Sequence, residues 1–149
     1  MKRNIMDTHS EQQVIDRILK LSSASKRMWG NMTINEMLFH CRKVNSEILQ
    51  ADKYNKSPTV KQRIMKTIGL YLMKKFPKGI KTSPKYLPEL VDNLDFDIVQ
   101  KKLIDSIKEV CNYNNAIYGK HPFFGPLNTK EWRHFIWKHM DHHLRQFNV

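Results

Sequence analysis

The chain is poor in the residues that define disulfide scaffolds and β-rich folds. Its 149 residues include only two cysteines and five glycines. The cysteines, Cys41 and Cys111, lie far apart and lack the Cys-x-x-Cys spacing of zinc ribbons and redox pairs, so neither kind of site is expected. We predict two reduced, buried thiols. Because glycine and long alternating β-branched runs are scarce, the composition favours helices.

Long apolar runs are also missing. No stretch approaches the ~20 residues that a membrane-spanning helix requires. The first three residues, Met-Lys-Arg, are followed by Asp7 and Glu11 rather than by the apolar region of a signal peptide. We therefore expect a cytoplasmic protein. Its length, with 40% apolar and 27% charged residues, predicts one globular domain over residues 1–149.

Acidic residues are absent from one long segment. The net charge of the chain is +12, and residues 53–88 contain no Asp or Glu. Such a block would attract nucleic acid, an anionic membrane or a negatively charged small molecule. The chain lacks zinc-finger spacing and the aromatic ribonucleoprotein motif, so a solvated basic face explains the block better than nucleic-acid recognition does. Its basic residues are Lys53, Lys56, Lys61, Arg63, Lys66, Lys74, Lys75, Lys78, Lys81 and Lys85.

Helical periodicity is the main positive signal in the chain. Apolar residues recur at the i, i+3, i+4 and i+7 spacing of one helix face. Capping boxes, Thr33-x-x-Glu36 and Asn128-x-x-Glu131, mark the starts of the second and last helices. The predicted helices cover residues 10–21, 33–52, 60–76, 96–118 and 128–147.

The third of these helices is predicted to be an extra element inside a long connection. Residues 60–76 are amphipathic, and residues 77–93, with three prolines and a glycine, are expected to be an irregular crossover. Four long helices with one extended connection predict an all-α four-helix bundle. The apolar stripe of the extra helix, opposite its basic positions, comprises Ile64, Ile68, Tyr71 and Leu72.

Three histidines are candidates for a metal site. At about 100° per residue, His139 and His143 lie one turn apart on the apolar face of the last helix, where one ion can bridge them. His40 lies on the inner face of the second helix, between Met37 and Val44. Bundles often hold metals between such facing helices. We predict that the three imidazoles converge.

The other interpretation is that these histidines are hydrogen-bonded packing residues. Burying imidazoles without partners costs roughly 2–7 kcal/mol for each unsatisfied polar group, and a shared cation removes that cost. His134 is expected to face solvent. His142, at the flank of the same face, is a candidate for a contact to a ligand imidazole or to substrate.

Two ordered motifs resemble a known family. The run TxxEMLxH at residues 33–40 and the run HxxHHxxQ at residues 139–146 look like the DinB-like family of metal-binding four-helix bundles. The runs WGNMT (29–33), HPFFGPL (121–127) and HMDHHLRQF (139–147) are similar to a DinB-like subfamily that is itself a domain of unknown function. The resemblance covers nearly the whole chain.

The resemblance implies that His40, His139 and His143 bind one divalent ion, most often zinc or nickel. Characterised members of the fold include thiol S-transferases, which use low-molecular-weight thiols such as bacillithiol, and a mycothiol-dependent isomerase. The resemblance therefore implies metal-assisted thiol transfer or isomerisation of a small molecule, with hydrolysis as a neighbouring possibility. It also implies a possible homodimer.

The chain departs from the transferase pattern at two places. The transferases tend to carry Glu after the first histidine of the pair and Arg-Gly before the final Gln, where this chain has Met140 and Leu144-Arg145. Glu36 and Gln146 are candidates for hydrogen bonds that orient the imidazoles, although Glu36 is also accounted for by its capping box.

The 120–127 loop offers candidates for the mouth of a pocket. They are His121 and Phe123, and the alternative is that the aromatic residues there cover the end of the bundle.

Two other functions stay open for the whole chain. One is a non-enzymatic basic protein that binds nucleic acid or an anionic surface through residues 53–85. The other is a structural bundle with a degenerate site.

Overall fold

The computed structural model describes residues 8–51, 57–80, 86 and 94–149. They form an all-α bundle, as predicted, with one very short antiparallel strand pair. The elements are α1 (Thr8–Leu19), α2 (Ile34–Gln50), α3 (Val60–Lys66), a π-helical segment (Thr67–Leu72), α4 (Phe96–Asn112), β1 (Lys120–His121), β2 (Gly125–Pro126) and α5 (Thr129–Gln146).

Four of these helices share one core. α2 packs against α4 and α5, and α1 packs against the same two helices. Each helix contributes one apolar stripe, and burying each large side chain stabilises the fold by about 1.5–3 kcal/mol. Side chains that solvent does not reach at all include Ile18, Met37, Leu38, Leu103, Ile107, Ile136, Met140 and Leu144.

Both predicted capping boxes are confirmed. Thr33 accepts a hydrogen bond from the Glu36 backbone N–H, and the Glu36 carboxylate accepts one from the Thr33 N–H at 2.6 Å. Asn128 and Glu131 make the same reciprocal pair at the start of α5. These bonds satisfy amides that a helix start leaves without partners. The box at Thr33 fixes where α2, the helix that carries His40, begins.

Helix α4 ends at Asn112, earlier than the predicted residue 118. Asparagines at 112, 114 and 115 compete with the helix through their side chains. The backbone beyond the helix finds other partners. Arg133 donates to the Tyr113 carbonyl at 2.8 Å, and the Ile117 N–H donates to Thr129 Oγ1 at 2.9 Å. The segment that follows α4 is therefore bound to the first turns of α5 through Tyr113 and Ile117.

The third helix differs most from expectation. It is α-helical only to Lys66, continues as the π-helical segment and ends at Leu72 rather than at residue 76. The Met73 N–H donates to the Ile68 carbonyl, the i→i−5 bond of a π-helix. The predicted apolar stripe does not face the core, since Ile64, Ile68, Tyr71 and Leu72 are all exposed.

This third helical unit is bound to α5 through its backbone. The buried Lys138 ammonium donates to the carbonyls of Gly69 and Met73, at 2.6 Å and 2.5 Å. His134, which we expected in solvent, is half-buried with Nε2 2.9 Å from the Leu70 carbonyl. A π-helical turn leaves carbonyls at its end without intrahelical partners. Side chains of α5 supply the hydrogen-bond donors for these carbonyls.

The connections agree with expectation in part. Residues 77–80 carry no regular structure, whereas 81–85 and 87–93 of the predicted crossover lie outside the described residues. The segment 120–127, predicted as a loop, contains a short strand pair that joins Lys120 with Pro126 and His121 with Gly125. Within the described residues, no helix has both the length and the apolar content that crossing a bilayer requires.

Replacing Lys138 by methionine tests the attachment of the third helical unit. Lys138→Met keeps the bulk of the side chain but leaves the buried Gly69 carbonyl and the partly buried Met73 carbonyl without this donor, so we expect a loss of about 2–4 kcal/mol in the free energy of unfolding. Urea denaturation measures it. Lys130→Met, on an exposed position of the same helix, should change stability by less than about 0.5 kcal/mol. Equal effects of the two variants would contradict the attachment.

Candidate metal centre

Three histidines from two helices meet inside the bundle. His40 projects from α2, and His139 and His143 project one turn apart from α5. The potential ligand atoms of all three lie within 4.8 Å of one another. The ring centroids of His139 and His143 are 4.6 Å apart, and those of His40 and His143 are 4.9 Å apart. The predicted convergence is therefore present in the structure.

Hydrogen bonds to backbone and side-chain oxygens determine how two of these rings are oriented. Nδ1 of His40 lies 3.3 Å from the Tyr86 carbonyl oxygen, and Nδ1 of His143 lies 3.0 Å from Gln146 Oε1. Both partners can only accept, so each Nδ1 carries the proton and donates it. The Nε2 lone pairs of His40 and His143 are consequently left for the interior of the cluster.

The third ring, that of His139, has fewer polar partners. Its Nε2 lies 3.0 Å from His40 Nε2, and the ring stacks on Phe135 with an interplanar angle of 19°. Its Nδ1 is buried and has no hydrogen-bond partner among the residues that the structure describes. His139 is thus positioned by packing on one side and by the other imidazoles on the other side.

The buried environment keeps all three imidazoles neutral. Loss of hydration lowers the pKa of His40 to about 4 and that of His143 to about 3. Burial, followed by the neighbouring His143 and His40, lowers the pKa of His139 well below its ordinary value. A buried charge loses its hydration, so the charged form is disfavoured. Near neutral pH each ring keeps a lone pair on one nitrogen, which is the form that binds metals.

This geometry fits a single divalent ion. Two nitrogens held at about 2.1 Å from one ion lie about 3.0 Å apart when the angle between them is 90°, and about 3.4 Å apart when it is tetrahedral. The separation of 3.0 Å between His40 and His139 falls at this lower value. It is also the length of an N–H···N hydrogen bond. The ligand chemistry and the spacing are compatible with a metal ion.

Gln146 connects the cluster to the loop between α1 and α2. Its Nε2 donates to the Trp29 carbonyl at 2.8 Å, which leaves Oε1 to accept from His143. The backbone carbonyl of Gln146 also accepts from the Met28 N–H at 2.7 Å. The side-chain amide is therefore held at both its nitrogen and its oxygen. It fixes the orientation of the His143 ring in the way that outer contacts commonly fix metal ligands.

Gly30 makes this contact possible. It adopts a φ of +78°, and a Cβ at this position would lie 2.5 Å from Gln146 Nε2. A side chain there would both strain the backbone and displace the amide. The WGNMT motif thus has a physical explanation, because its tryptophan supplies a carbonyl and its glycine supplies the space.

The other candidate contacts differ in their surroundings. The Glu36 carboxylate is engaged by the capping box of α2, and the structure describes no hydrogen bond from it to an imidazole. His142 is buried against the rings of Trp29 and His143, with centroid distances of 6.1 Å and 5.1 Å. Burial, and then the charge of Arg145, lower the pKa of His142.

The 120–127 loop covers the aromatic side of the cluster. His121 Nδ1 accepts hydrogen bonds from the N–H groups of Phe123 and Phe124. Its ring stacks on Phe124 at 4.3 Å and contacts Phe135, on which His139 stacks. Burial lowers the pKa of His121 to about 4. His121 thereby stabilises its own loop, whereas Phe123 is exposed.

Two groups near the histidines had no signal in the sequence. Both act through their backbone carbonyls, that of Tyr86 on His40 and that of Trp29 on Gln146. A carbonyl is common to every residue, so the residue type does not reveal it. The edge contact of the Tyr86 ring with His40, at 6.2 Å, is likewise a consequence of the fold.

The cysteines and a surface cavity lie apart from this cluster. Cys41 and Cys111 are free and buried, as predicted, and burial raises the pKa of both thiols. A cavity of about 420 Å³ is formed by the loop after α1 and the start of α2, including Lys26, Arg27 and Thr33. It contains none of the three histidines.

The whole chain matches one known family. A family model described as "Protein of unknown function (DUF1569)" matches residues 1–149. No curated protein and no solved structure matches the chain.

A pair of glycine variants tests the contact between the loop and Gln146. Gly79 has a φ of +79°, and a Cβ added there would have no atom within 4 Å, so Gly79→Ala introduces backbone strain without a steric conflict. Gly30→Ala introduces the same strain and also displaces Gln146. We expect it to lower the free energy of unfolding by about 1–3 kcal/mol more than Gly79→Ala does. Chemical denaturation compares the two, and equal losses would contradict a structural role for the contact.

Proposed function

The chain belongs to the family Protein of unknown function (DUF1569), and we propose that it is a metal-dependent enzyme in which His40, His139 and His143 hold one divalent ion. The proposal takes the chain as a single domain over residues 1–149 with the DinB-like type of bundle. The observation that carries it is the convergence of three imidazoles, those of His40 and His143 buried and that of His139 partly buried, whose ligand atoms lie within 4.8 Å of one another. Two of them direct an unprotonated Nε2 inward, because Tyr86 and Gln146 engage the opposite nitrogens.

An all-histidine ligand set suits catalysis better than a purely structural role. Within the described residues the cluster contains no carboxylate or thiolate, so its ligands would leave the charge of a divalent ion unreduced. Three protein ligands also leave a position for water or substrate, as catalytic sites do. A divalent ion in such a site would acidify a bound water or thiol. Imidazole is a favourable ligand for zinc, nickel, copper and iron, and by resemblance we propose zinc or nickel.

The residues around the cluster would perform distinct tasks. Gln146 and the Tyr86 carbonyl would hold the imidazoles in the ligating tautomer. Phe135 and the 120–127 loop would exclude water from the side on which His139 stacks. His142, buried beside His143, would be a group able to accept a proton from a bound substrate or to donate one to it.

Thiol transfer is the reaction that the DinB-like resemblance favours. In it, the sulfur of a small thiol forms a bond to an electrophilic carbon, the leaving group departs with the bonding pair, and the thiol proton passes to solvent. At the two places where the chain departs from the transferase pattern, Met140 and Leu144-Arg145, no charged group lies at the cluster. Met140 is fully buried in the core, and the Arg145 guanidinium is paired with Asp141 at 2.9 Å. Activation of the nucleophile would therefore depend on the ion.

Metal content tests the site itself. Protein purified without a chelator or an affinity tag should contain about one divalent ion per chain by elemental analysis. His143→Ala should abolish the ion, and His9→Ala, on an exposed position of α1, should retain it. Gln146→Ala should weaken the affinity for the metal about 10–100-fold in a competition titration, because the His143 Nδ1–H loses its hydrogen-bond acceptor.

Chelation provides a second readout of the same site. Removing the ion should lower the thermal midpoint by about 5–10 °C, because a ligand at 100 times its Kd stabilises the folded state by about 2.7 kcal/mol. If the chain carries no ion, and if zinc, nickel and chelator leave its thermal midpoint unchanged, it is instead a structural bundle whose histidines are packing residues.

Turnover tests the enzymatic part of the proposal. Metal-loaded protein is mixed with a panel of low-molecular-weight thiols and an alkyl or aryl halide, and halide release is measured. We expect a rate that needs the metal and is lost in His143→Ala but retained in His9→Ala. If the chain binds one ion but accelerates the reaction with no thiol, transferase activity is ruled out while the metal site remains.

A further inference from the structure

The third helical unit exposes an apolar face. Four aliphatic residues follow one another at intervals of four along α3 and the π-helical segment, and we refer to them as the aliphatic stripe. Helical side chains spaced in this way lie on one side of the helix. Their exposed fractions are 74% for Val60, 54% for Ile64, 40% for Ile68 and 70% for Leu72.

The aliphatic stripe points away from the body of the protein. The opposite side of the same helical unit makes the contacts with the bundle, where Gly69 and Leu70 are buried and Lys66 pairs with Glu131 at 3.0 Å. No side chain of α3, all of whose residues are described, is fully buried. Folding therefore does not require the stripe to be apolar, since exposed polar residues would serve the bundle equally well.

Positive charge surrounds the aliphatic stripe. Residues 53–88 contain no acidic side chain. Lys61 and Arg63 flank the stripe on the helix, and Lys74 and Lys75 follow it, all four exposed to solvent. An amphipathic helix with aliphatic residues on its outer face and basic residues at its edges is typical of segments that lie in a membrane interface.

We propose that the aliphatic stripe and its basic flanks bind the surface of an anionic lipid membrane. The stripe would enter the boundary between headgroups and acyl chains, and the basic residues would contact the phosphate and carboxylate groups of the lipids. This proposal does not depend on the metal centre, which is on the inner side of α5.

The chemistry of the surface favours lipid over two other occupants. Single-stranded nucleic acids bind to aromatic side chains on which bases stack, whereas the four residues of the stripe are aliphatic and the exposed Tyr71 is held by its hydroxyl, which donates to Glu131 at 2.8 Å. A second copy of the chain would bring two acid-free basic segments together, and like charges at a contact are unfavourable. A membrane with negative headgroups matches both the aliphatic centre and the basic edges.

Vesicle flotation tests the proposal with the full chain. We expect the protein to float with vesicles that contain about 30% phosphatidylserine in phosphatidylcholine and to bind vesicles of phosphatidylcholine much more weakly. Binding should fall as salt increases. Ile64→Ser combined with Leu72→Ser should weaken it about tenfold or more. Lys74→Gln combined with Lys75→Gln should weaken it by about fivefold for each charge removed.

Matched variants elsewhere on the surface serve as controls. Ile98→Ser replaces another exposed aliphatic residue, 53% accessible on α4, and Lys102→Gln with Lys108→Gln removes two exposed charges from the same helix. Both should bind the anionic vesicles as the unchanged chain does. Circular dichroism of each variant excludes unfolding as the cause of lost flotation.

Four outcomes would overturn the proposal. The first is no flotation with anionic vesicles at low salt, and the second is equal losses in the stripe and control variants. The third is a concentration-dependent dimer that Ile64→Ser abolishes while vesicles remain unbound, which would assign the stripe to a second copy. Binding to a single-stranded oligonucleotide without binding to vesicles would assign the surface to nucleic acid.

Discussion

The structure depends on bringing three imidazoles together at one point inside the bundle without burying positive charge there. Loss of hydration lowers the pKa of His40, His139 and His143, so each ring is neutral near pH 7, and its one N–H needs an acceptor. The chain supplies acceptors from outside the two helices that carry the rings, the Tyr86 carbonyl for His40 and, through Gln146, the loop at Trp29 for His143. His40 Nε2 then faces His139 Nε2 at 3.0 Å, a separation that either an N–H···N hydrogen bond or a shared cation would satisfy.

Helix α5 unites the contacts that maintain this arrangement. Side chains four residues apart on a helix share a face, and several pairs of contact residues on α5 have this spacing. His139 and His143 face the cluster, and His134 and Lys138 reach carbonyls of the π-helical segment, those of Leu70 and Gly69. Asp141 pairs with Arg17 of α1 and with Arg145. Helix α5 also buries Ile136, Met140 and Leu144 in the core, so directional bonds and apolar burial together fix it in the bundle.

The sequence predicted those features that a single helix face determines. The two capping boxes, the four main helices and the alignment of His139 with His143 all follow from local spacing. The convergence of His40 with them required the bundle hypothesis in addition, because nothing local relates residues so far apart. What the sequence could not reveal were contacts made by backbone atoms, such as the Tyr86 and Trp29 carbonyls. The expected solvent position of His134 was wrong for the same reason, since its partner is the Leu70 carbonyl.

The orientation of the third helical unit shows why periodicity can mislead. Periodicity identifies which side of a helix is apolar, and the usual inference is that this side packs inward. Here the inward side is attached by carbonyls of the unit's own backbone, at Gly69, Leu70 and Met73, which accept from side chains of α5. Gly69 also leaves room for the Phe124 ring, which would lie 2.6 Å from an added Cβ. Backbone attachment makes almost no demand on the outward side chains, so bundle stability does not explain why they are aliphatic. The exposed stripe therefore needs a cause outside the bundle.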